Sequence, residues 1–453
     1  MTDADKAQDS ELIRSAAAGG SLAQLILELW QRTRTDWSFA SDRLQGAFRR
    51  RKHLGSAERR FVAETLYGMI RHSRRLDEAL TAGGLRAVSS APDRERLLAY
   101  LVLEAGLDPA AAAAQNSRVD WKAVAAIDER LSRESRPSRR LALRYSLGEA
   151  LAEALVADHG DAAEALAEAL NQRAPMSVRA NTLVASRDEL FAALAAEGIE
   201  SEPGRYSETA VIVRSRTNLF SLAAFKKGMF EAQDEGSQLI AEAVAPPPGS
   251  RVVDFCAGAG GKTLALAAAM TNKGRIIATD TDARKLSELK RRARRGKVDT
   301  VQTVQISGDS RESFPPAVDR LVGRCPRVLV DAPCTGIGAL RRNPEARYRI
   351  TPGEIDRLTE LQHSIVDRAL SLVQPGGRLV YATCSVLHRE NRGVVDRLVS
   401  ERQDLEVVPL KVVWGRQRAE PVTDPSGTYL ELFPHVHGTD GFFAAVLRLR
   451  QPG

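Results

Sequence analysis

Residues Val252 to Thr263 read Val-Val-Asp-Phe-Cys-Ala-Gly-Ala-Gly-Gly-Lys-Thr, and the alanine-rich run Leu264–Ala269 follows. Two β-branched residues, an acid, a small-residue loop and an apolar run predict strand, tight turn and helix in that order. Glycine lets backbone approach a ligand closely because no Cβ intervenes. The new helix directs its unpaired N–H groups and positive dipole end at the same point. Such a turn at the carboxyl end of a parallel strand is where open α/β sheets bind ligands. The loop is neither of the two common phosphate loops. Gly261-Lys262-Thr263 matches the end of a P-loop, but Cys256 stands at its first glycine; Thr263 stands at the last glycine of the dinucleotide fingerprint. Asp280 lies about 20 residues on, behind the strand-like Arg275–Thr279, where an acid meets ribose hydroxyls. A nucleoside ligand without phosphates fits this pattern.

From Arg251 onward strand and helix patterns alternate. Strand candidates are Val252–Phe255, Ile276–Asp280, Val301–Ile306, Val328–Asp331 and Leu379–Thr383, which predicts a doubly wound, mostly parallel α/β sheet. The late apolar runs Leu405–Val413 and Phe442–Leu449 are expected to pair as a terminal antiparallel hairpin. Upstream, Leu22 to about Leu170 keeps helical three–four spacing throughout (Leu22, Leu25, Ile26, Leu29, Trp30), with breaks at Gly55, Gly83-Gly84, Gly106, Pro137 and Gly160. Between these regions Val178–Leu183 and Ala210–Val213 read as strands around a helix at Arg187–Ala196. The expected organisation is a flexible leader at 1–20, an all-α domain at 21–165, a small α+β module at 166–245 and a catalytic domain at 246–453.

Formal charge is +7 with a pI of about 9.3, so a polyanionic partner is expected. Arg49, Arg50, Arg51, Lys52, Arg59, Arg60, Arg71, Arg74 and Arg75 concentrate it in the helical part, and Arg284 to Lys297 form a second basic run. Each reads either as a phosphate-binding surface or as a solvated helix face. No apolar run approaches the roughly 18 residues that span a bilayer, and the start lacks a secretory pattern, so no membrane partner is expected and a cytoplasmic location is. The four cysteines, Cys256, Cys325, Cys334 and Cys384, form no Cys-x-x-Cys pair, so neither a metal site nor a disulfide framework is expected. A monomer is the default.

Two predicted strand ends carry thiols, in Asp331-Ala332-Pro333-Cys334 and Thr383-Cys384-Ser385. A doubly wound sheet brings both to the edge that holds the glycine loop. Cytosine carbon 5 is a poor nucleophile, but a thiolate added at carbon 6 turns the ring into an enamine that can accept a methyl group. An acid such as Asp331 could assist at ring N3. The residues do not rank Cys334 against Cys384 as nucleophile.

Together with Gln233–Gln238, Arg341-Arg342-Asn343-Pro344 and Pro375-Gly376-Gly377, these stretches resemble the Nop/Sun family of RNA (cytosine-5) methyltransferases through roughly the last 280 residues. The resemblance implies a Rossmann-like class I domain and S-adenosylmethionine as methyl donor. It implies that Cys256, Ala257, Gly258, Ala259, Gly260, Gly261 and Lys262 form the donor loop, that Asp280 binds the ribose and that Asp309 lies beside the adenine. Asp331 would sit between donor and cytosine, Cys384 would be the nucleophile and Cys334 would assist product release, with Lys262 meeting the donor or the Asp331 region. The helical part is similar to NusB-like RNA-binding domains through Arg51–Ser56 and Tyr67–Arg71, which makes small-subunit (16S) rRNA the expected partner. In place of the family's Cys-Ala-Ala-Pro-Gly-Gly-Lys-Thr, Gly258-Ala259 replace Ala-Pro, and a more flexible loop is expected. The alternatives are a nucleotide-binding P-loop protein and a non-catalytic RNA-binding or assembly factor.

Overall fold

The structure, a computed structural model, describes residues 3–85, 93–215, 217–309 and 312–451. The chain forms two compact units, residues 1–172 with 340–354, and residues 173–339 with 355–453.

The first unit is helical among its described residues. Its core gathers the predicted stripe Leu22, Leu25, Ile26, Leu29 and Trp30 with Val62, Leu66, Met69 and Ile70 from the long helix Ser56–Ala82. The leader differs from expectation. Asp3–Ala17 is a helix, because Leu12, Ile13, Ala16 and Ala17 repeat at helical spacing and pack on this core; Met1 and Thr2 lie outside the described residues. Residues 340–354, which sequence places within the catalytic region, belong to the helical unit. Arg347 anchors them. It is 1% exposed and donates to the carbonyls of Pro344, Arg71 and Tyr145 and to Asn171 Oδ1. Tyr348 stacks on Trp37 with ring centroids 3.9 Å apart and donates to the Ile70 carbonyl.

The second unit holds two sheets. The smaller comprises β1 (Met176–Ala180), β2 (Ser201–Pro203), β3 (Ala210–Val213) and β4 (Phe230–Ala232), in the order β2-β3-β1-β4 with every pair antiparallel. β1 ends earlier than its apolar pattern suggests, because Asn181 turns the chain and donates to the carbonyls of Gly228 and Gly296. The larger sheet contains β5 (Arg251–Asp254), β6 (Arg275–Asp280), β7 (Val301–Gln305), β8 (Cys325–Asp331), β9 (Val373–Thr383), β10 (Leu405–Val407), β11 (Leu430–Leu432) and β12 (Phe442–Leu449). Its order is β10-β12-β9-β8-β5-β6-β7, with β11 on β12. The five strands β5 to β9 are parallel, and β12 runs antiparallel to β9.

The terminal strands pair antiparallel but form no simple hairpin. β10 stops at Val407, and Pro409, which has no N–H for a ladder, precedes the helix Leu410–Trp414. Alternate strand residues feed two cores, with Val252 and Ile276 in one and Val253 and Ile277 in the other. The chain leaves β5 towards β6 and later returns to β8 on the other flank. The reversal opens a crevice at the carboxyl ends of β5 and β8, where Asp254 and Asp331 stand.

Candidate functional site

The turn after β5 is held from three sides. Thr263, in the first turn of the helix Gly261–Ala269, donates to Asp254 Oδ2 at 2.6 Å. Thr279 Oγ1 donates to the Phe255 carbonyl at 2.6 Å, and the Gly258 N–H donates to Asp280 Oδ2 at 2.8 Å. Gly258 and Gly260 have φ of +55° and +86°, which side chains disfavour. A Cβ on Gly260 would also stand 2.0 Å from Leu289 Cδ1. The missing proline is offset by Arg292, which donates to the Ala259 carbonyl at 2.7 Å. Arg292 and Arg295 both pair with Glu231, which is 3% exposed. So part of the basic helix Ala283–Arg295 braces the loop, a role outside both readings of that run.

Beside the turn opens a cavity of about 480 Å³, lined by Cys256, Gly258, Asp280, Lys285, Asp331 and Arg368 among others. Of the predicted donor residues, Cys256, Gly258, Asp280 and Asp331 face it. Ala257, Ala259, Gly260, Gly261 and Lys262 shape the turn behind. Asp309 lies just outside the lining, next to Gly308, its N–H bonded to Ser307 Oγ. The residues suit a nucleoside with a polar tail: an acid at the end of β6 and open backbone at Gly258. Burial, partly countered by Thr263, lifts Asp254 to about 7, and burial pushes the Cys256 thiol well up, so that sulfur stays neutral.

Next to this cavity the two thiols meet. Cys334 Sγ and Cys384 Sγ are 3.4 Å apart, beyond the ends of β8 and β9. Lys262 donates to Asp331 Oδ2 at 2.7 Å. Burial works against its ammonium, but Asp331, Cys384 and Asp254 together raise its pKa. The two sulfurs are not equivalent. The hydrogen bond with Cys384, then burial, drives the Cys334 pKa well above that of an ordinary thiol. Either sulfur can donate in this contact, and the raised Cys334 pKa favours the thiol form there.

Three residues that sequence reasoning missed hold the thiol turns together. Glu390, fully buried, accepts from the Thr335 N–H at 2.8 Å, from Ser385 Oγ at 2.5 Å, from Thr335 Oγ1 and from Gln362 Nε2 at 3.0 Å. One carboxylate thus ties the residue after Cys334 to the residue after Cys384. Asn391 accepts from Thr383 Oγ1 at 2.6 Å and donates to the Ser385 carbonyl. Gln362 also donates to the Pro333 carbonyl. The available signal was the spacing Thr-Cys-Ser…Glu-Asn, a polar pair soon after a thiol turn.

Known proteins agree with this geometry. Residues 241–448 match the family model described as 16S rRNA methyltransferase RsmB/F, and 149–219 match the ferredoxin-like domain of the same proteins. A probable ribosomal RNA small subunit methyltransferase B of Synechocystis is 30% identical over 421 residues, covering 88% of this chain and 93% of that protein. A human 28S rRNA (cytosine(4447)-C(5))-methyltransferase is 32% identical over 282 residues, covering 60% of this chain and 34% of that one. The crystal structure of PH0851 superposes with a TM-score of 0.75 at 25% identity, covering 96% of this chain and 98% of the other. The chain therefore belongs to the RsmB/F family of 16S rRNA methyltransferases, for which S-adenosylmethionine is the methyl donor.

Proposed function

We propose that this enzyme methylates carbon 5 of a cytosine in small-subunit rRNA through a covalent bond between Cys384 and the base. The observation that carries the reading is the 3.4 Å contact between two unlike thiols beside the Lys262–Asp331 pair. Bound S-adenosylmethionine supplies an electrophilic methyl group on its sulfonium sulfur. Asp280 and the Gly258 backbone hold its nucleoside part, with Asp309 near the adenine. Cys384, its thiolate stabilised by the Cys334 S–H and the Lys262 ammonium, adds to carbon 6 of the cytosine. Asp331, with Oδ1 left over from the Lys262 bond, binds the polar edge of the ring and favours a proton at N3. After methylation the electron pair of the carbon 5–hydrogen bond must re-form the ring double bond while Cys384 leaves as thiolate. Once Cys384 is a thioether it no longer competes for the Cys334 proton. The main influence raising the Cys334 pKa is then gone, so Cys334 releases its own proton to water and the resulting thiolate takes the carbon 5 proton as Cys384 leaves.

The helical unit supplies rRNA contacts. Arg51, Arg60, Arg74 and Arg75 are engaged with carboxylates of that unit and Arg59 with the Leu54 and Lys52 carbonyls, while Arg49, Arg50 and Lys52 carry no ion pair among the described residues and remain for phosphates. The enzyme acts as a monomer in the cytoplasm, where its four free thiols stay reduced. Among the described residues no helix is long and apolar enough to cross a membrane.

Bisulfite sequencing of rRNA incubated with each variant tests the assignment. Cys384→Ala yields no 5-methylcytosine, whereas Cys334→Ala accumulates a protein–RNA adduct that survives denaturing electrophoresis. Normal turnover by Cys384→Ala would refute it.

A further inference from the structure

The amino ends of the parallel strands lie at the sheet edge opposite the donor loop, and arginine occupies that edge. Arg251 opens β5 and Arg275 opens β6, directly in register with it. On the other face Arg327 of β8 is in register with Arg378 of β9. Neighbouring strands are only about 4.8 Å apart, and like charges placed directly opposite destabilise a sheet. The repulsion registers at Arg327, where burial and then the Arg378 charge lower the pKa.

Arg251 and Arg275 share their face with Arg320 and Arg324, and all four line a cavity of about 280 Å³. Among the described residues its walls contain no carboxylate. Arg275 donates to Gln302 Oε1 and Arg320 to the Pro316 carbonyl, neutral acceptors that cancel no charge. Arg251 and Arg324 form no ion pair among the described residues. In the same wall Ser250 Oγ is buried with no hydrogen-bond partner. The contrast with the basic helix is instructive, because Arg292 and Arg295 there share a buried glutamate. Here the fold concentrates guanidinium groups, bears their repulsion and leaves a hydroxyl unpaired, all around an open cavity. An anion with several oxygens would correct each of these together.

We infer that this arginine-lined cavity binds backbone phosphates of the substrate RNA, as a second contact at the sheet edge remote from the methyl-transfer site. A strand of six residues is about 20 Å long, so an RNA that touches both edges must extend at least that far beyond the target base. The inference rests on the chain being an RNA methyltransferase and deepens that reading by assigning a second surface to its substrate.

The test uses the full-length protein, Arg251→Gln/Arg324→Gln as the first variant and Arg275→Gln/Arg320→Gln as the second. Affinity for a folded small-subunit rRNA domain is measured across potassium chloride concentrations, beside a short single-stranded oligonucleotide. Each double variant should flatten the slope of log affinity against log salt for the folded RNA by about two. Short-oligonucleotide binding and S-adenosylmethionine affinity should not change, and the melting temperature should hold or rise because a repulsion is relieved. An unchanged slope for the folded RNA overturns the inference while leaving the proposed reaction intact. So does an orthophosphate-induced rise in melting temperature, lost in the variants, if the RNA slope is unchanged; the cavity would then be a small-anion site. Wild-type protein that binds no rRNA at all would overturn the rRNA substrate and this site together.

Discussion

Glu390 is the residue through which the two thiol turns become one site. Its carboxylate meets Thr335 on one side and Ser385 on the other, so the 3.4 Å sulfur contact depends on it. Reacting groups displaced by 1 Å can lose about a hundredfold in rate. Glu390→Ala should therefore lower kcat by roughly that factor with KM for RNA nearly unchanged, and Glu390→Gln should recover part of it. Steady-state kinetics on both variants checks this; an equal rise in KM would point to a general loss of fold instead. Asp254 has a different consequence. Its folded pKa of about 7 lies above that of an unfolded aspartate, so the folded form takes up a proton preferentially between about pH 4 and 7. The stability this contributes is complete in acid and is lost as pH rises through about 7. Asp254→Asn should flatten that part of the stability–pH curve and exceed the wild type in stability at pH 8, by thermal melting across the range.

At the scale of the element, the turn 255–261 shows why two glycines differ in importance. Gly258 and Gly260 share a positive φ, but a Cβ on Gly258 would meet nothing within 4 Å, whereas on Gly260 it would strike Leu289. Gly258→Ala should cost about 1 kcal/mol for the left-handed backbone alone. Gly260→Ala should cost about 2–4 kcal/mol, since overpacking adds to that strain, and should weaken donor binding by moving the helix start. Urea unfolding and calorimetric titration with S-adenosylmethionine separate the two. The sequence identifies this turn well because its strand, glycines and helix are contiguous. The Arg292 brace was not legible there: it arrives from a helix about 30 residues on, and its partner Glu231 lies on a strand of the other sheet.

At the scale of the molecule, the chain crosses between its units after Ala339 and again after Glu354. The excursion starts a few residues beyond Cys334, so the segment that carries this thiol is covalently continuous with the helical unit. Arg347 is the anchor of the excursion, and removing it would strand the buried carbonyls of Arg71, Tyr145 and Pro344. Arg347→Met should destabilise the helical unit by at least about 3 kcal/mol. Hydrogen exchange should report it as lost protection across 340–354, ahead of the strands of the large sheet.

By itself the sequence determined the alternation of elements, the glycine turn after β5, and the arrival of two thiols and an acid at one sheet edge. Each of these follows from local periodicity or from a rule about where parallel strands end. Only the tertiary structure decided how closely the two sulfurs approach, which arginines are spent on a buried glutamate, and that 340–354 packs with helices some 200 to 300 residues earlier. Those outcomes depend on burial and on partners distant along the chain. A guanidinium beside Glu231 and one lining the cavity with Arg251 look alike in sequence, and only their neighbours in space make one a brace and set the other among like charges.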